Sequence, residues 1–144
     1  MQNFNARHSK LSLSMVSWVK SCELEYLITE IIRTVKIPTK ISGYYYLRQS
    51  ILTLVELEGA CIYSAGKLYK EVAKKFNTSA EQVERCARHA LNKAWNDGTL
   101  NNVCSILEIS SPLYTMKPSA YMFITDIANI LCVYRNMRLD TSEI

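Results

Sequence analysis

Apolar residues in this chain return every third or fourth position in segment after segment, a spacing that builds one-sided helices. Leu24, Leu27, Ile28, Ile31, Ile32 and Val35 form one such stripe and predict a helix over Glu23–Val35, closed by Pro38 and Gly43. Leu47, Ile51, Leu54 and Val55 predict a second over Tyr44–Leu57, although the β-branched residues within Ile51–Val55 leave a strand open there. The two glycines of Gly59–Gly66 predict a bend. A short helix is expected over Lys67–Phe76, a longer one over Ala80–Trp95, another short one over Asn101–Leu107 and a last one over Ala120–Tyr134, the last with Phe123, Ile124, Ile127, Ala128 and Leu131 inward. Four glycines and three prolines in 144 residues, 49% of them hydrophobic, suit packed helices better than a loop-rich chain. The expected fold is all-α, a six-helix, bundle-like domain containing a helix-turn-helix. Residues 1–20, with only Leu11, Leu13 and Met15 alternating, read as a loosely ordered arm before a single helical domain over residues 21–144.

Several function classes are disfavoured by what the residues lack. No apolar run is long enough to cross a bilayer, and the polar start from Met1 to Lys10 is unlike a secretion signal, so a cytoplasmic protein is expected. The five cysteines, at 22, 61, 86, 104 and 132, are odd in number and never paired as C-x-x-C, which predicts reduced, mostly buried thiols. His8 and His89 are the only histidines and stand far apart, with no cluster of ligands around them, so no metal and no cofactor is expected. No cluster of side chains offers a tuned acid, base or nucleophile, and an enzyme is not expected. Tyr44, Tyr45 and Tyr46 are consecutive on a helix and point in different directions, which favours a mixture of core and surface over a stacking platform for bases.

Charge then points to a partner. The net charge is +4, and the whole excess lies between Lys67 and Asn96, where seven basic residues face three acidic ones. A polyanion is drawn to that segment, and the same segment carries the clearest local motif. Asn77 breaks the Lys67–Phe76 helix. Thr78, three residues before Glu81, has the form of a capping box for the next helix, with Ser79 as the alternative cap. Gly98 suits the left-handed position that closes it. A short helix, a polar turn and a longer helix is the arrangement in which the first braces the second in the major groove of DNA. With Val83, Ala87, Ala90 and Leu91 inward, the leading end of the longer helix turns Glu81, Gln82, Glu84, Arg85, Arg88 and His89 outward. Arginine can donate twice to guanine, glutamate can accept from cytosine and glutamine can pair with adenine. Gln82, Glu84, Arg85 and Arg88 are therefore the expected base readers. Lys70, Lys74, Lys75 and Lys93, with Ser79 and His89, are the expected phosphate contacts. The plainer reading of the same helix is a solvated face laced by Glu81–Arg85 and Glu84–Arg88 pairs.

The stretches Ile28-Thr29-Glu30-Ile31-Ile32, Gly43-Tyr44-Tyr45-Tyr46-Leu47-Arg48, Ala73-Lys74-Lys75-Phe76-Asn77-Thr78, Val83-Glu84-Arg85, Arg88-His89-Ala90, Ala94-Trp95 and Lys117-Pro118 together resemble the effector domain of the sporulation initiation response regulators, the stage zero sporulation protein A family of spore-forming bacteria. The resemblance covers about Leu27 to Tyr134. It implies a helical, DNA-binding transcription regulator that reads a box resembling TGTCGAA, often as tandem copies occupied by a pair of molecules, with Glu84, Arg85 and Arg88 at the family's recognition positions. It also implies contact with the sigma subunit of RNA polymerase, and places a basic residue of the family near Asn136, beside Arg135, which is carried over as a phosphate contact. Three departures matter. The family's receiver domain has no counterpart in these residues, so control by phosphorylation is not carried over from the resemblance. Gln82 stands where relatives carry a basic residue. Ile106-Leu107-Glu108 replaces a Leu-Phe-Gly pattern associated with polymerase activation. A second class of function therefore stands beside the first: a protein-interaction module that keeps the fold but modulates a full-length relative or a polymerase subunit without reading DNA.

Overall fold

A computed structural model describes residues 24–57, 63–110 and 112–142, with side chains as far as residue 136. Within these residues the chain is all-α. Helices α1 (Leu24–Thr34), α2 (Ser42–Glu56), α3 (Ala65–Phe76), α4 (Ala80–Asn96), α5 (Val103–Leu107) and α6 (Ala120–Ser142) follow one another, with a 3-10 turn at Leu100–Asn102 leading into α5. The expected arm over residues 1–20 lies outside the described residues.

Helix α2 is the hub, packed against α1, α3, α4 and α6. Its inward stripe, Leu47, Ile51, Leu54 and Val55, is fully buried, as are Leu27, Ile28, Ile31 and Ile32 of α1 and Phe123, Ile124, Ile127, Ala128 and Leu131 of α6. The β-branched run in α2 is helical because these neighbours cover one helical stripe, which outweighs a weak local preference for strand. Ser50, the one buried polar residue among the described ones, is satisfied by donating its hydroxyl to Tyr46 O at 2.6 Å. Of the three consecutive tyrosines, Tyr44 and Tyr46 are buried and Tyr45 is partly exposed, so the triplet does divide between core and surface.

The distant parts are tied by side chains that satisfy helix ends. Thr99 donates to Val35 O at 2.6 Å and Asn102 to Thr34 O at 3.1 Å, so the turn after α4 covers the open carbonyls of α1. Asn101 and the backbone of Tyr114 exchange two hydrogen bonds, at 2.8 and 2.9 Å, and the Tyr114 hydroxyl donates to Asp126 at 2.9 Å. Burial, that bond and the Asp126 charge together push the Tyr114 phenol well above its ordinary range.

Three details differ from expectation. Helix α3 begins at Ala65, so Gly66 lies inside it and not in a bend. Its cap is Ser64, which accepts from Lys67 N at 3.2 Å. Helix α6 runs on to Ser142, well past Tyr134. Cys86, Cys104 and Cys132 are half-buried, at the margin of the core and not within it. At the end of α5, Glu108 takes a left-handed conformation (φ 61°). Glycine reaches that conformation freely, whereas a side chain there is strained by roughly 1 kcal/mol.

Candidate nucleic-acid interface

Helices α3 and α4 meet through a turn built almost entirely from local chemistry. Asn77 is left-handed (φ 53°, ψ 51°), a conformation asparagine tolerates better than most residues. That lets Thr78 N reach Ala73 O at 3.0 Å and Asn77 N reach Lys74 O, the paired closure of a Schellman motif. One residue later Ser79 is extended, and its hydroxyl accepts from Gln82 N at 3.1 Å. Ser79, not Thr78, is therefore the cap of α4: the helix begins at Ala80, and the Ser79 hydroxyl is the side-chain oxygen that takes an amide of its first turn. Gly98 (φ 74°) ends α4 in the same manner, with Thr99 N bound to Ala94 O at 2.9 Å.

Helix α4 is seated through small residues. Val83, Ala87, Ala90, Leu91 and Ala94 are buried, and α2 crosses so closely that a Cβ on Gly43 would lie 2.4 Å from Cys86 O and 2.6 Å from Ala90 Cβ. Opposite this face, Glu81, Arg85, Arg88 and His89 are exposed and Gln82 and Glu84 half-buried. The polar residues hold one another: Arg85 donates to Gln82 Oε1, Gln82 donates to Cys86 Sγ at 3.4 Å, and Arg88 Nε lies 3.4 Å from Glu84 Oε1, with the two side chains 59% and 45% exposed. Exposed pairs of this kind contribute about 0–1 kcal/mol, so exchanging them for base edges costs little. The expected Glu84–Arg88 pair is formed. Arg85 turns to Gln82.

The expected phosphate contacts divide. Lys70, Lys74 and Lys75 are exposed on α3, Ser79 sits at the start of α4, and His89 and Lys93 follow along the exposed side of α4. Lys74 is paired with Glu71 at 3.2 Å and Lys93 with Asp97 at 3.0 Å. Arg135 does not join them. It is half-buried, donates to Val55 O at 2.8 Å at the end of α2, and lies about 22 Å along α6 from Ala120, the end of that helix that borders α4. Its guanidinium closes a helix terminus in the frame.

Two shallow grooves border α4. One is lined by Tyr69, Glu84, Arg88 and Asn92 with Lys117 and Ser119 opposite, the other by Arg85, Cys86 and His89 with Lys40 and Ser42 opposite. Burial, reinforced by the Glu84 carboxylate and by Tyr121, pushes the Tyr69 phenol up to about 12, so it remains a neutral hydroxyl at physiological pH. Lys40, Asn92 and Lys117 were not picked out by sequence reasoning; Lys117 had entered only through the Lys117-Pro118 resemblance, and no local pattern ties Lys40 or Lys117 to a helix dozens of residues away. Among the described residues no group of three or more histidines, cysteines or acids is placed to hold a metal, and no helix is long and apolar enough to cross a membrane. Compared with known families, residues 28–131 match the model described as sporulation initiation factor Spo0A C terminal.

Proposed function

Starting from the fact that the chain belongs to the Spo0A C-terminal family of DNA-binding effector domains in sporulation control, we propose that it regulates transcription by seating α4 in the major groove of a box resembling TGTCGAA. Gln82, Glu84, Arg85 and Arg88 read base edges in this proposal. Lys70, Lys74, Lys75, Ser79, His89 and Lys93 hold phosphates and set the register. Residues 21–144 act as the effector domain, two copies occupy adjacent boxes, and a bound copy is placed to meet the sigma subunit of RNA polymerase.

One observation carries the reading: the face of α4 opposite its buried stripe is open, and Arg85 and Arg88 are exposed on its leading half, held there by bonds to the half-buried Gln82 and Glu84 at the margin of that face. A solvated helix serving structure alone has no need of a brace such as α3 and a turn such as Asn77–Ser79 to present that end. The test is a fluorescence titration of box-containing and scrambled duplexes at several salt concentrations. The parent chain is expected to prefer the box and to show a steep salt dependence. Arg85→Ala is expected to remove about 1–3 kcal/mol from box binding while leaving scrambled binding nearly unchanged. Box preference that survives Arg85→Ala means that α4 is not the reader.

A further inference from the structure

The two grooves beside α4 lie on either side of its exposed face, and the far wall of each is a turn carrying a lysine. Lys117, in the turn entering α6, stands across a groove of about 440 Å³ from Glu84, Arg88 and Asn92. Lys40, in the turn entering α2, stands across a groove of about 420 Å³ from Arg85 and His89. Both lysines are exposed, and neither forms an ion pair among the described residues. We infer that Lys40 and Lys117 are phosphate ligands, one for each strand of the duplex that α4 enters.

The inference rests on α4 being the reading helix, and dimensions carry it from there. The major groove of B-DNA is about 12 Å wide, and an α-helix with its side chains is about 10–12 Å across. A helix seated in the groove fills it, so protein immediately beside the helix on either flank comes over one of the two sugar–phosphate ridges. Lys40 and Lys117 occupy those flanks. Their turns are fixed by the core. On the Lys40 side, Gly43 presses against Cys86 and Ala90, and Tyr44 N donates to Ile41 O at 3.1 Å. On the Lys117 side, Pro118 and Ala120 are buried, Ser119 accepts from Met122 N at 3.0 Å, and the Tyr121 hydroxyl donates to Tyr63 O. The chemistry also favours these two over some of the expected lysines. Lys74 must leave Glu71 and Lys93 must leave Asp97 to meet a phosphate, whereas Lys40 and Lys117 exchange only solvent and counterions.

The test uses the full chain with Lys40→Gln, Lys117→Gln and, as a control with the same change of charge, Lys36→Gln. Lys36 lies at the opposite end of α4, beside the carbonyl of Val35 that Thr99 binds. Each variant is titrated against box and scrambled duplexes across a range of salt. Lys40→Gln and Lys117→Gln are each expected to reduce the slope of log K against log salt by about 0.9, equally on both duplexes, with box preference intact. Lys36→Gln is expected to leave the slope unchanged. Parental slopes in both flank variants overturn the inference, as does an equal reduction from Lys36→Gln, which marks a net-charge effect. A lost box preference places that lysine on a base edge and also overturns it. If the parent chain itself shows no salt-dependent duplex binding, the reading of α4 has failed and the inference falls with it.

Discussion

Helices α2 and α4 are similar in length and lie against each other, yet they are held by different means. Helix α2 buries eight residues, among them two tyrosines and the large aliphatic side chains of Leu47, Ile51 and Leu54, and begins at Ile41 with no side-chain cap. Helix α4 buries five, three of them alanine, and is closed at its start by Ser79 and at its end by Gly98. Bulk secures the first. The second must keep half its circumference polar, so it sits close on small residues and draws on local bonds at its termini. A helix that presents side chains to a partner has fewer positions left for core, and its ends make up part of the difference.

That contrast can be broken in three places. Leu54→Ala, in the bulk-held helix, is expected to destabilise the protein by about 2–5 kcal/mol in denaturant unfolding; a loss under 1 kcal/mol would mean α2 is not the hub. Gly43→Ala, at the crossing, is expected to cost about 1–3 kcal/mol, because the clash is with backbone and cannot be relieved by a rotamer. It should also weaken box binding more than the folded fraction explains, and unchanged binding by the folded chain would show that the seat of α4 tolerates a shift. Ser79→Ala is expected to cost about 1 kcal/mol and to raise amide exchange in the first turn of α4. Exchange unaltered at Gln82 N would remove end-capping from the comparison.

Much of this was legible in the residues because helical periodicity and capping are local. The stripes of α1, α2, α4 and α6 fell on buried positions, save for the half-buried Leu24 at the start of α1, and the outward direction of Arg85 and Arg88 follows from the inward direction of Val83, Ala87 and Ala90. Thr78 was the harder case, since two adjacent hydroxyl residues both fit a cap, and only the bond from Gln82 N to the Ser79 hydroxyl decides between them. Arg135 and Lys117 mark where local reasoning stops. Arg135 reaches a carbonyl 80 positions earlier in the chain, and Lys117 borders a helix that begins 37 positions before it; nothing in the spacing of neighbours encodes either meeting.

Gly43 has one more effect, and it is mechanical. Where helices are separated by interlocking side chains, that layer can deform and absorb small displacements. At this crossing there is no such cushion, because backbone rests on backbone. Helix α4 is therefore stiffened by everything that anchors α2, and its orientation inherits the rigidity of the hub, which is what a surface needs if it is to hold donor atoms in register with a repeating polymer.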